Sequence, residues 1–146
     1  MFSAEVRSHA MRELEEGTSL QLDYRKLTDI GSKRLNVVPV AVQNADTKEV
    51  LLFAYVNEAA LRASMQTRVA TFWSTSRNEL WVKGATSGDT YELLRILVNC
   101  EQNSLVFIVR PQRGGICHTR NSRGVARNCF YRELDLETMQ LKNLDP

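Results

Sequence analysis

Three cysteines, Cys100, Cys117 and Cys129, are the residues of this chain with the most distinctive chemistry. Thiolates are strong zinc ligands, and three protein ligands with a fourth position left for water are typical of a catalytic zinc site. Zinc brings the pKa of its bound water to about 7, so such a site activates water for hydrolysis. His118 directly follows the middle cysteine and is the candidate general acid or base.

The spacing of the cysteines leaves a second interpretation open. No two of them form a Cys-x-x-Cys pair, which is the spacing most typical of zinc sites. Free cysteines are commonly small buried residues that pack like hydrophobic side chains and do no chemistry. Judged by spacing alone, inert thiols are favoured over a zinc site.

A second candidate for chemistry is the loop that contains Lys83, Thr86, Ser87 and Gly88. Its glycines let the backbone approach a ligand closely, and its N–H groups, two hydroxyls and lysine can cradle a phosphate. The loop matches neither a P-loop nor a dinucleotide fingerprint. Taken alone, it is therefore interpreted as an ordinary turn between strands.

The elements that must position these residues are mostly strands. Residues 37–43 and 49–55 flank a turn signal and predict a β-hairpin. Further apolar runs predict strands over 70–74, 79–83, 91–99 and 104–110, and a last strand over 129–132.

Short helices flank the predicted strands. Helical spacing of apolar residues predicts an amphipathic helix over 3–16, followed by an irregular connection. Asn57 is a good N-cap for a helix over 58–67, and Asp135 for a final helix over 136–143. The pattern as a whole predicts an α+β domain dominated by an antiparallel sheet.

Bulk composition predicts one soluble domain without a nucleic-acid or membrane partner. The 146 residues fit a single core, and 43% hydrophobic with 25% charged residues is ordinary for a globular protein. A net charge of +2 gives no basic face for nucleic acid, and no apolar run is long enough to span a membrane. The first residues lack the apolar region of a secretory signal, and three cysteines cannot all pair. We therefore expect a cytoplasmic protein.

Taken together, the segments resemble the phosphoribosyl-AMP cyclohydrolase family, whose members open the adenine ring of phosphoribosyl-AMP in the histidine pathway. The resemblance runs over residues 36–134 and leaves residues 1–35, with the predicted N-terminal helix and connection, and residues 135–146, with the predicted C-terminal helix, outside it. The blocks that carry it are in family order: Glu49–Glu58, Phe72–Ser74, Leu80–Gly84, Thr86–Gly88, Cys117–Thr119 and Cys129–Arg132.

The resemblance implies a zinc ion held by three cysteines that come from the two protomers of a homodimer. The corresponding residues here are Cys100, Cys117 and Cys129, and His118 takes the position of the family's catalytic acid or base. It also implies that the loop described above binds substrate. The substrate-binding residues implied in this way are Trp81, Lys83, Thr86, Ser87 and Gly88.

The chain departs from the family pattern around its first cysteine. The family has Asp-Cys-Asp-x-Asp there, whose aspartates are thought to hold magnesium, whereas this chain has Asn99, Glu101 and Asn103. Mg²⁺ is a hard cation that favours anionic oxygen ligands, so amides weaken such a site and its magnesium is doubtful. Further departures are Asn44, Thr75 and Ala85, and a longer spacer before Cys129 that carries Arg120, Arg123 and Arg127.

The leading hypothesis is a zinc-dependent hydrolase that opens a cyclic carbon–nitrogen bond of a purine nucleotide. Its substrate is phosphoribosyl-AMP or a related heterocycle of a side pathway, and arginines of the loop 120–128 either bind its phosphate or are merely solvated. The alternative is a non-catalytic zinc- or nucleotide-binding homologue that has lost the magnesium site. A structural zinc module for nucleic acid is disfavoured, because a net charge of +2 supplies no basic surface.

Overall fold

The computed structural model describes residues 12–113 and 117–146. Residues 12–16 are helical, and within the described ranges no helix is both long and apolar enough to cross a membrane. The elements that follow are α1 (Lys26–Ser32), β1 (Val38–Asn44), β2 (Val50–Val56), α2 (Glu58–Thr67), β3 (Thr71–Ser74), β4 (Glu79–Val82), β5 (Tyr91–Val98), β6 (Leu105–Pro111), β7 (Arg132–Leu134) and β8 (Leu141–Asn143).

A four-stranded sheet in the order β2-β1-β6-β5 forms the centre of the fold. The pairs β1–β2 and β5–β6 are antiparallel, while β1 and β6 run parallel at the centre of the sheet. The pairs β3–β4 and β7–β8 form two small antiparallel sheets. The predicted α+β class with a mainly antiparallel sheet is confirmed, as are the six strands predicted between residues 37 and 110, each within two residues of its bounds.

The core lies between the central sheet and α2. Val40 and Val42 alternate inward along β1 and are fully buried, as strand periodicity requires. The ring of Phe107 on β6 stacks on Phe72 of β3, with 5.8 Å between their centroids. Burial of these apolar side chains supplies the main driving force for folding and fixes which face of β5 and β6 points inward.

The helix α2 begins and ends at the predicted residues. The side chain of Asn57 accepts a hydrogen bond from the Ala60 amide at 2.9 Å, which satisfies one free amide of the first turn. Arg68 follows the helix in the left-handed region, at φ 59°, and ends it. Ser64 is fully buried and its hydroxyl bonds the Thr71 backbone at 2.9 Å, which attaches α2 to β3.

Two predictions for the N-terminal region have different outcomes. Residues 12–16 of the helix predicted over 3–16 are helical, and residues 3–11 lie outside the described part of the chain. The irregular connection predicted after this helix is wrong in part, because it contains α1. This helix of seven residues buries only Ile30, so its apolar periodicity was too weak to be recognised in the sequence.

The final helix predicted over 136–143 is wrong, because this segment forms the turn and the second strand of the hairpin of β7 and β8. Asp135 does cap a turn, since its Oδ1 accepts hydrogen bonds from the Glu137 and Thr138 amides. The chain then leaves helical geometry at Met139, whose φ is 59°. Leu141 pairs with Leu134 across the hairpin.

The last strand predicted over 129–132 is also corrected, because strand structure begins only at Arg132. The Cys129 amide donates to the carbonyl of Leu51 on β2, at 3.0 Å. This contact places Cys129 at the edge of the central sheet outside any strand ladder.

Candidate active site

The hairpin of β5 and β6 places the predicted site residues at its two opposite ends. Tyr91 at the start of β5 pairs with Pro111 at the end of β6, so the loop before β5 and the segment after β6 share one end. That end receives the loop from Lys83 and the segment with Cys117. Cys100 lies in the connection at the other end, about 25 Å away for a strand of eight residues.

Cys117 and Cys129 are brought together at the first of these ends. The Cys117 amide donates to the carbonyl of Arg127 at 2.6 Å, which folds the loop between the cysteines back on itself. The buried Thr119 donates from its hydroxyl to the Cys117 sulfur at 3.2 Å, the kind of support that a thiolate ligand commonly receives. Two of the three predicted zinc ligands are therefore neighbours within one chain.

The surroundings of the two thiols oppose negative charge on Cys129. Cys129 is exposed as a residue, but the protein atoms around its thiol desolvate it and raise its pKa to about 12, and the charge and hydrogen bond of Cys117 act in the same direction. Lys83 acts in the opposite direction, which places the loop beside the cysteines. A bound divalent cation would reverse this balance, because it favours both thiolates.

His118 is a solvent-exposed side chain held by one strong contact. Its Nε2 lies 2.6 Å from Oε1 of Glu15, in the helical residues 12–16. Its other ring nitrogen, Nδ1, is 4.0 Å from the Cys117 sulfur. The ring therefore has one nitrogen engaged by a carboxylate and the other directed towards the cysteine pair.

Tyr91 is a residue of this site that the sequence did not single out. Its side chain is fully buried, and its hydroxyl has no hydrogen-bond partner among the residues that the structure describes. Burial raises the pKa of this hydroxyl, and the neighbouring Cys129 raises it further. A buried polar group without a partner is costly, and this one lies beside the cysteine pair. A tyrosine at a strand start gave no signal for this position.

The predicted substrate loop is a tight structure built on two glycines. Gly84 and Gly88 have φ values of +76° and +82°, and a Cβ at Gly84 would lie 2.2 Å from the backbone of Asp89. The Gly88 amide donates to the Gly84 carbonyl at 2.8 Å and closes the loop. Arg113 lies against the same loop, 3.4 Å from the carbonyl of Ser87, and adds a cation that the sequence interpretation overlooked.

Trp81 belongs to a separate aromatic cavity of about 310 Å³. Its ring packs on Phe72 at 5.6 Å between centroids. Phe53 also lines this cavity and meets Phe130 edge to face at 6.0 Å, and Phe130 directly follows Cys129. The cavity is therefore adjacent to the cysteine pair. Its polar lining consists of Lys26, Ser74, Thr75, Ser76 and Arg77.

Asn99, Glu101 and Asn103 lie together but bond mainly to one another. Asn99 donates from its amide to Asn103 at 2.7 Å, and Asn103 donates to the Glu101 carboxylate at 3.0 Å. The remaining side-chain oxygen of Asn99 accepts from the backbone amides of Asn103 and Ser104. These contacts use amide N–H donors where a magnesium site needs anionic oxygens, so the residues do not fit Mg²⁺.

The loop 120–128 has a structural arginine. Arg127 is buried, with its Nη1 at 2.6 Å from the Glu16 carboxylate and its Nε at 2.8 Å from the Asp145 carbonyl. Arg120 bonds the carbonyl of Gly124 within the loop, and Arg123 is exposed. Arg127 is thus neither a solvated charge nor a free phosphate ligand.

Comparisons with known proteins show which family the chain belongs to. The sequence matches the family model described as phosphoribosyl-AMP cyclohydrolase over residues 52–131. The phosphoribosyl-AMP cyclohydrolase of Nitrosopumilus maritimus is 46% identical over 98 residues, which cover 67% of this chain and 85% of that protein. That of Erythrobacter litoralis is 44% identical over 104 residues, or 71% of this chain and 78% of that protein. The histidine biosynthesis bifunctional protein of Thermus thermophilus is 47% identical over 98 residues, covering 67% of this chain and 43% of its own length.

Proposed function

Because the chain belongs to the phosphoribosyl-AMP cyclohydrolase family, we propose that it opens the purine ring of phosphoribosyl-AMP, or of a closely related nucleotide, at a zinc ion. The chain is an enzyme of the phosphoribosyl-AMP cyclohydrolase kind, and its reaction is the hydrolysis of a cyclic carbon–nitrogen bond. The observation that carries the zinc proposal is the meeting of Cys117 and Cys129 beside His118.

The donor set fits zinc better than any hard cation. Cys117 and Cys129 offer two adjacent soft sulfur donors, and Thr119 is placed to hold one of them as a thiolate. The third donor in this proposal is Cys100 of a second copy, because within one chain it lies at the far end of β5. Zinc bound by three thiolates leaves one position for water and lowers the pKa of that water.

His118 is the residue proposed to move the proton. In the reaction the water oxygen bonds to the ring carbon, the ring carbon–nitrogen bond breaks, and a proton passes from water to the departing nitrogen. Nδ1 of His118 faces the cysteine pair and can accept and return that proton.

The neighbouring surfaces suit a nucleotide. The aromatic cavity beside Trp81 and Trp73 offers faces for a purine to stack on, and Arg77 lies at its rim. Lys83 and Arg113 flank the glycine loop, where backbone amides and hydroxyls are available to phosphate oxygens. Positive groups in the cavity and beside the loop support a phosphorylated substrate.

Magnesium has no part in this proposal. The self-bonded cluster of Asn99, Glu101 and Asn103 supplies a single carboxylate, and that carboxylate already accepts a hydrogen bond. We assign the cluster a structural role in shaping the connection that carries Cys100.

The test is an assay of purified protein for bound zinc and for ring opening of phosphoribosyl-AMP, followed by absorbance, with and without added magnesium. We expect close to one zinc per chain and turnover that magnesium does not change. Cys117→Ser should lose both zinc and turnover, whereas His118→Ala should retain zinc and lose at least about a hundredfold in kcat. Protein without zinc would refute the metal site, and zinc without turnover would refute the substrate.

A further inference from the structure

Helical residues 12–16, with Gly17, are fastened to the segment that carries the candidate catalytic residues. This contact was not anticipated, because residues 1–35 lie outside the stretch matched by the family model. The Tyr131 hydroxyl donates to the Glu15 carbonyl at 2.5 Å. Arg132 donates to the carbonyls of Leu14 and Gly17 at 2.8 and 3.0 Å. The end of this helix is thus fixed in place by side chains that bond to its backbone carbonyls.

From this fixed position, the Glu15 side chain contacts the imidazole ring of His118. Its carboxylate Oε1 is 2.6 Å from Nε2 of the imidazole, a distance typical of a strong charge-assisted hydrogen bond. Glu15 is only 29% exposed while the His118 side chain is 77% exposed, so the carboxylate is the more firmly held partner. Protein packing around His118 itself therefore does little to orient the ring.

We propose that Glu15 is a positioning residue that fixes the orientation of His118 for proton transfer. The carboxylate accepts from Nε2–H, which leaves Nδ1 as the nitrogen that faces the cysteine pair. A histidine whose second nitrogen is held by a carboxylate is fixed in both tautomer and ring direction. This proposal rests on the proposed function, because it assigns His118 the transfer of a proton.

An ordinary surface ion pair is the competing explanation for this contact. Exposed pairs contribute little to stability, and they do not require the carboxylate-bearing backbone to be fixed. Here the carbonyl of the same residue, Glu15, is bound by Tyr131. The two contacts of Glu15, one by backbone and one by side chain, link the helix end directly to the ring of His118.

The test compares three variants of the full chain loaded with zinc: Glu15→Ala, Glu15→Gln and the control Glu13→Ala. Glu13 lies in the same helical segment, and its side chain makes no hydrogen bond or ion pair with any residue of the described ranges. Glu15→Ala should lower kcat about ten- to a hundredfold with KM changed less than about twofold. Glu15→Gln should recover most of kcat, since its amide oxygen accepts the same hydrogen bond.

Nitrogen-15 spectra of the imidazole ring show which ring nitrogen of His118 is protonated. They would not change if Glu15 served only to stabilise the fold. The chain has two histidines, so a His9→Gln background leaves His118 as the single ring signal. We expect protonated Nε2 and bare Nδ1 in the parent and in Glu15→Gln. In Glu15→Ala the signals should move towards those of a free imidazole, while zinc content and melting temperature stay at the level of Glu13→Ala.

Two results would overturn the positioning role. One is a kcat for Glu15→Ala equal to that of Glu13→Ala, and the other is an unchanged ring spectrum in Glu15→Ala. If the parent protein fails to open phosphoribosyl-AMP, that result contradicts the proposed function and not the positioning role of Glu15. The ring spectra still decide the positioning of His118 in that case, because they need no substrate.

Discussion

At the scale of single residues, Arg127 shows how a charge from the lengthened loop contributes to the fold. Its side chain is 3% exposed and is bound by Glu16, by the Asp145 carbonyl and by the ring of Tyr131, 4.5 Å from its guanidinium carbon. The hydrogen bond to Glu16 raises the pKa of Arg127 above its ordinary value. Burial acts in the opposite direction but is the smaller effect. One arginine thus joins the helical residues 12–16, the loop and the C-terminal residues.

Replacement of Arg127 by alanine should lower the free energy of unfolding by about 2–3 kcal/mol. Breaking a buried ion pair commonly costs somewhat more, about 3–5 kcal/mol, but Glu16 is partly exposed and can be solvated once alone. Urea denaturation of Arg127→Ala and of the exposed control Arg123→Ala measures the difference. The control should stay within about 0.5 kcal/mol of the parent. Equal stability of the two variants would contradict the structural role.

At the scale of elements, the hairpin of β7 and β8 depends on one capped turn. Asp135 accepts hydrogen bonds from the Thr138 and Glu137 amides, and these bonds lower the pKa of its carboxyl below the ordinary value of 3.8. A lowered pKa in the folded state means that the carboxylate stabilises the fold above the unfolded pKa. This stabilisation is lost as the pH falls through the folded pKa.

The stability that the capped turn gives the protein should therefore depend on pH through the Asp135 carboxylate. Asp135→Ala should destabilise the protein at pH 7, and its difference from the parent should shrink once the pH falls below the ordinary carboxyl value of 3.8. Denaturation at neutral and at acidic pH measures both differences, with the neighbouring Glu137→Ala as the control. A difference that is the same at both pH values would contradict the role of the carboxylate as a cap.

At the scale of the whole molecule, the length of β5 separates the proposed zinc ligands. Cys117 and Cys129 meet at the Tyr91 end of the strand, while Cys100 follows its other end. Strands are stiff and this one is paired along its length with β6, so one chain does not bring the three thiols together. The proposed three-cysteine site therefore needs Cys100 of a second copy, as in a symmetric dimer.

Mixed dimers test this shared site directly. Cys100→Ser and Cys117→Ser should each be inactive, yet dissociating and reassociating them together should restore about a quarter of parental activity, because half of the pairs are mixed and each mixed pair keeps one intact site. The matched control mixes Cys117→Ser with Cys129→Ser, which leaves no intact site in any pair. Restoration in the control, or none in the first mixture, would contradict a site shared between copies.

Local patterns were enough to predict most of the secondary structure. The alternation of β1, the turn at Asn44 and the cap at Asn57 act within a few residues, so β1, β2 and α2 were predicted close to their observed bounds. The predictions that were wrong concern segments where distant contacts compete with local preference. The C-terminal residues 136–143 are an example, since Leu141 bonds the Thr18 carbonyl at 2.8 Å.

Residue type and order were enough to predict which residues carry chemistry, namely the cysteines, His118 and the loop from Lys83. Which of these residues meet within one chain depends on contacts between distant segments. The loop between Cys117 and Cys129 folds back and brings these two residues together, whereas the paired strand β5 keeps Cys100 at a distance. Glu15 and Tyr91 are contributed by segments remote in sequence. No local pattern encodes a contact across more than a hundred residues, or a buried hydroxyl that has no partner in residues 12–113 and 117–146.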